Sequence, residues 1–256
     1  MSTNSAKFEL KCFKRYFMLF EFMKLKNLDR AIMLDSDIMT YANFSELKCL
    51  QDKNIIAAID EDQITSFEHI GTAGPQVFFC TIEAIDDFTK LLIDTYENNI
   101  KLLRDEWLYR KQVHDVNQIS DMVLLSLWAR NHGNKILRWH LVKEIHLQYS
   151  ANDSDGSECF EMDKILKIKK IFIKDNFAYL RRIDNHELIR VGVLHFQGNK
   201  SKIFMKYYSE NTNYFLKILS AFNLYIQRSK FFSVVLKIWL HIPYNLRQKI
   251  KKIIAR

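Results

Sequence analysis

Apolar positions between residues 9 and 28 recur at helical spacing, with Phe13, Phe17, Phe20 and Leu28 on one stripe, and predict a helix packed on a core. Residues 31–34 form a short apolar run that reads as a buried strand and delivers Asp35, Ser36 and Asp37 to its C-terminal end. Residues 54–60, apolar and free of lysine, predict a central strand, and residues 77–80 a shorter one. Between these two, residues 66–74 read as a loop holding His69. A helix is expected over residues 81–93, with the Thr81 hydroxyl as its cap and the acids from Glu83 to Asp87 favoured by the helix dipole. Residues 101–112 mix charge and apolar side chains as a solvated helix does. Ser120 and Asp121 open a further helix over 122–130, where Asp121 reads as a capping group. Lysines alternating with apolar residues over 165–173 predict a half-exposed strand. The turn Asp184-Asn185-His186 then leads to a strand ending at His195.

Two of these strand ends carry chemistry. Strand C-termini are where α/β sheets hold ligands, and carboxylates one residue apart, as Asp35 and Asp37 are, can share a hard cation such as Mg²⁺ or Mn²⁺. A solvated strand end or a helix cap would look the same. The later segment, Val193-Leu194-His195-Phe196-Gln197-Gly198-Asn199-Lys200-Ser201-Lys202, offers an imidazole that could complete a metal shell. Its glycine, Gly198, permits close backbone approach, and Lys200 and Lys202 could neutralise phosphate. A histidine beside an apolar run is also a common core residue. The two segments weigh more together than apart.

Together they resemble the retaining glycosyltransferases of the family 8 type, whose signature pairs a strand-ending Asp-x-Asp with a late His-x-x-Gly followed by lysine. Asp35 and Asp37 match the first element, and His195 and Gly198 the second. Arg15-Tyr16-Phe17 before the strand and Tyr41-Ala42-Asn43 after it are similar to small bacterial relatives, and the likeness spans roughly residues 10–210. The resemblance implies a GT-A fold, a nucleotide-sugar donor (a UDP-sugar) and Mn²⁺ or Mg²⁺ held by Asp35, Asp37 and His195. It also implies donor contacts from Ser36, Gly198, Lys200 and Lys202, and Asp121 near the reacting carbon. The acceptor would be a glycan or a lipid-linked glycan. Three departures stand out. Ser201 occupies the expected lysine position between Lys200 and Lys202; Gln76 alone stands where relatives show Asn-x-Gly; and about a dozen residues precede the first helix, too few for a complete nucleotide-binding lobe.

The fold class expected is therefore α/β, a GT-A-like mixed sheet flanked by helices over residues 1–215, shortened at its N-terminus, with a basic helical tail over 216–256. The alternatives are an inactive truncated relative that binds glycan or a partner, and a phosphatase of the haloacid-dehalogenase type. Against the phosphatase, Ile38 and Met39 follow the acidic pair and Thr40 comes one place late.

Composition narrows the choice. Apolar residues make up 48%, enough for a real core, while only 6 Gly and 2 Pro favour long regular elements over a hairpin-rich sandwich. The net charge of +8 suits phosphate-bearing donors and anionic headgroups; without a zinc-finger or recognition-helix pattern, nucleic acid is not an expected partner. The cysteines Cys12, Cys49, Cys80 and Cys159 are scattered, and with no signal-peptide pattern they predict a cytoplasmic protein. No apolar run reaches the roughly 18–20 residues of a spanning helix. In the tail, Phe231, Val235 and Trp239 give an apolar face, and Arg247, Lys249, Lys251, Lys252 and Arg256 are interleaved with Leu246, Ile250, Ile253 and Ile254. That pattern predicts peripheral contact of residues 231–256 with an anionic membrane, at the inner face of the cell membrane.

Overall fold

A computed structural model describes residues 5–61, 71–114, 119–142, 149–151, 159–164, 166, 168–197, 202, 205 and 208. His69, Gly198, Lys200, Ser201 and the tail from 216 to 256 lie outside the described residues. The chain is a mixed α/β protein of helices and several small sheets. In order, α1 is Ala6–Lys26, β1 Arg30–Leu34, β2 Ile38–Thr40, α2 Lys48–Gln51, β3 Ala57–Glu61 and β4 Ala73–Thr81. Then come α3 (Ile82–Glu97), α4 (Ile100–His114), α5 (Asp121–His132), β5 (Ile136–Arg138) and β6 (Tyr149–Ser150). The short strands β7 (Met162–Asp163), β8 (Ile168–Lys169), β9 (Ile171–Lys174), β10 (Phe177–Arg181), β11 (Leu188–Val191) and β12 (Val193–His195) follow.

The main sheet has the order β1-β4-β3-β5, with β4 antiparallel to both neighbours and β3 parallel to β5. Because β4 is buried on both faces, it reads as a near-continuous apolar run rather than an alternating one. Phe78 and Cys80 face a core shared with Tyr16 and Met23 of α1, Phe88 of α3 and Trp128 of α5. Val77 and Phe79 face the opposite core, with Trp139, Ile38 and Val193. Strand β4 begins at Ala73, so the C-terminal end of the expected loop is already paired with β3 through Ala73 and Gly74.

Helix α1 starts at Ser5, whose hydroxyl accepts from the Phe8 amide at 3.3 Å, and stops at Asn27 in the left-handed conformation at φ 52°. Its buried residues are Tyr16 and Met23, with Phe13, Phe17 and Phe20 only partly covered. Leu28, expected on the core stripe, lies past the helix end and is exposed. The Thr81 cap forms as expected, its hydroxyl accepting from the Ala84 amide at 3.2 Å.

The lysine-rich run departs from its predicted pattern. It breaks into β8 and β9, and Lys169 is fully buried instead of pointing outward. Its Nζ donates to the Ser150 carbonyl at 2.7 Å, so one polar contact made at long range overrides the alternation. The turn at His186 is as expected, with φ 59°.

A second sheet, β2-β12-β6, joins the layers: β2 is antiparallel to β12 and β12 parallel to β6. Ile38 and Val193 face the Trp139 core, while Met39 and Leu194 face a third core beneath the β11-β10-β9 sheet. The Trp139 indole donates to the Val77 carbonyl at 2.8 Å and ties the loop after β5 to β4. Replacing it by Phe keeps an aromatic ring but removes the donor and part of the indole volume, and is expected to cost about 2–4 kcal/mol, measured as a lowered urea midpoint with unchanged m-value.

Candidate functional site

Asp35, Ser36 and Asp37 do not extend β1; they turn the chain from the first sheet into the second. The Ile38 amide donates to the Asp35 carbonyl at 3.0 Å and closes a β-turn over Asp35–Ile38. One side of the turn is fixed by the Asp35 amide donating to the Gln76 carbonyl of β4 at 3.0 Å. The other is fixed by the Phe196 amide, just past β12, donating to the Asp37 carbonyl at 2.8 Å. The two acids are thereby sent to different neighbours, whereas a straight strand would have left them on one face.

Asp35 meets Arg15 of α1, with Nη1 to Oδ1 at 2.9 Å. The other arm of the same guanidinium donates to Oδ2 of Asp121, the first residue of α5. The Tyr16 hydroxyl donates to that oxygen as well, at 2.9 Å. Edge-on contacts with Phe78 and Phe88, at centroid distances of 5.8 and 4.9 Å, hold the Tyr16 ring in place. Burial, and then the Asp121 charge, push the Tyr16 phenol well above its usual range, which keeps it a donor. Asp121 is thus a buried acid with two partners; no cap bond comes from the Ser120 side chain either.

Asp37 faces the strand end on the other side. His195 Nε2 lies 3.6 Å from its Oδ1 and Lys202 Nζ 3.2 Å from its Oδ2. Burial lowers the His195 pKa below its usual value, with Asp37 and Asp35 opposing, so the ring is neutral at pH 7. Burial also raises the Asp35 carboxyl, and Arg15 opposes that.

These side chains line one open cleft of about 500 Å³, within the size range of small-ligand sites. Ser36, exposed at the turn, and Gln76 border it, as do Cys12 and Gln197. The cleft therefore gathers Asp35, Ser36, Asp37, Asp121, His195 and Lys202 from the residues expected by sequence. Arg15, absent from the expected ligand set, is the residue that links two of them. Around the helix it stands opposite the Phe13, Phe17 and Phe20 stripe, so periodicity gave no signal for it.

Two carboxylates and a neutral imidazole are the right donors for Mn²⁺ or Mg²⁺. Among the described residues, however, no three His, Cys, Asp or Glu side chains are grouped as a metal site. Asp37 and His195 meet, while Asp35 is held by Arg15 and Asp37 is also covered by Lys202. The donor chemistry fits a divalent cation, but the spacing brings together only two of the three side chains that the resemblance implies. No protein-family model, curated protein or solved structure matches this chain.

Arg15→Met removes the shared partner of two carboxylates, one of them buried, and is expected to destabilise the fold by about 2–4 kcal/mol. Adding Asp121→Leu should recover much of that loss, read from urea unfolding of the single and double variants. For His195 the sign follows from its lowered folded pKa. As pH falls through its usual value of 6.5 the unfolded chain takes up the proton first, so stability present above that pH is lost below it. His195→Gln should therefore flatten the fall in Tm between about pH 8 and pH 5.

Proposed function

We propose that this protein is a metal-dependent glycosyltransferase of the family 8 type, with a GT-A-like fold, moving a sugar from a UDP-sugar to a glycan or lipid-linked acceptor with retention. The observation that carries the reading is the meeting of the Asp-x-Asp turn with the His195 strand end. These segments are far apart in sequence, yet β2 pairs with β12 and His195 Nε2 comes to 3.6 Å from Asp37. Structural packing alone does not require an acid, an imidazole and a lysine at that junction.

In this reading the residues divide the work. Asp37 and His195, with Asp35 released from Arg15, would hold Mn²⁺, which when bound supplies a Lewis acid for charge developing on the leaving diphosphate. Lys202 sits on a flexible stem with its side chain 43% exposed, and can turn from Asp37 to a phosphate oxygen. Asp121, held in one orientation by Arg15 and Tyr16, would stand near the reacting sugar carbon. The exposed Ser36 hydroxyl would meet the donor. Among the described residues, no helix is long and apolar enough to cross a membrane.

Titration calorimetry of UDP into the folded protein tests this directly. Binding is expected with Mn²⁺ and should be at least about tenfold weaker without it, or in Asp37→Ala with Mn²⁺ present. Folded protein that binds no UDP under either condition would overturn the assignment.

A further inference from the structure

The outward side of α1 has the composition of a membrane surface. At 100° per residue, Lys7, Lys11, Lys14, Met18 and Leu25 fall within a sector of about 60°, opposite the buried Tyr16 and Met23. All five are exposed, Met18 at 71% and Leu25 at 79%. Phe22 and Leu10 flank them and are also half exposed. Lys24 and Lys26 add cations at the helix end, against one outward acid, Glu21, which is 3.3 Å from Lys24. A helix packed on a domain usually turns a polar face to water, and this one turns out bulky apolar side chains between lysines.

Charge decides between occupants. An apolar protein surface would strand the lysine amines without partners. A second copy of this face would set lysines against lysines. An anionic bilayer satisfies both components: the amines reach lipid phosphates, and Met18, Phe22 and Leu25 enter the boundary beneath them. With 21 residues, the helix would lie about 31 Å along that plane.

Both flanks of α1 add to this. On one, an apolar groove of about 740 Å³ opens between α1 and α3, with Leu10, Phe13, Phe17, Leu92 and Ile93 in its wall and Glu9 and Glu97 as its acids. It continues the apolar surface round the helix. On the other, Phe8, Cys12 and Arg15 border the candidate cleft. We propose that the outward face of α1 is a docking surface for anionic membranes, which sets the cleft beside the bilayer. The proposal stands apart from the glycosyltransferase assignment, and from the contact expected of residues 231–256.

Vesicle sedimentation of the full chain tests it, using phosphatidylcholine alone and phosphatidylcholine with about 30% phosphatidylglycerol. Wild type should bind the anionic vesicles, and less so at high salt. Lys7→Gln/Lys14→Gln and Met18→Gln/Leu25→Gln should each weaken that binding at least about tenfold, with circular dichroism unchanged. Lys249→Gln/Lys251→Gln/Lys252→Gln reports the tail separately. Absence of binding by folded wild type, or a loss confined to the tail variant, would overturn the proposal. So would α1 variants that keep wild-type vesicle binding but sediment as monomers where wild type is a dimer, since the face would then be an interface between copies.

Discussion

The turn from Asp35 to Ile38 is the constraint on which the site depends. It is short, and both ends are held by backbone hydrogen bonds: Asp35 N–H to Gln76 in one sheet, and Phe196 N–H to the Asp37 carbonyl beside the other. Those bonds set where the two sheets meet, and the cleft lies at their junction. Side chains in a strand would have pointed alike; in this turn Asp35 goes to Arg15 and Asp37 to His195 and Lys202.

Arg15 carries the second part of the design. One planar guanidinium bridges a partly exposed carboxylate and a buried one, and so connects α1, the turn after β1 and α5 electrostatically. An unpaired Asp121 at that depth would cost several kcal/mol, and Tyr16 supplies a further donor from the same helix. Asp35, Asp37 and Asp121 in the cleft therefore each have a basic partner within reach. In the proposed transferase, a donor diphosphate and its cation would compete for those partners, with the flexible Lys202 the easiest to recruit.

Helix α1 thus has three roles on three sides. Tyr16 and Met23 anchor it in the core, Arg15 and Cys12 border the cleft, and lysines with Met18 and Leu25 face outward. The second role explains a cation, Arg15, set between the core residues and the outward face. The third explains bulky exposed side chains that neither core nor cleft uses.

Local chemistry written into the sequence determined the elements around the site. The apolar runs of β1, β3 and β4, the Thr81 cap and the turn at His186 follow from propensity and periodicity over a few neighbours. The Asp-x-Asp and the His195 segment were equally visible as chemically capable strand ends. Tertiary structure decided what those signals could not contain. It made Asp121 a buried ion-pair partner instead of a cap, drew Lys169 inside to meet Ser150, and shifted the α1 core stripe to Tyr16 and Met23. It also divided Asp35 from Asp37. Each of these outcomes depends on a partner that is distant in sequence, and local patterning carries no information about which distant group will arrive.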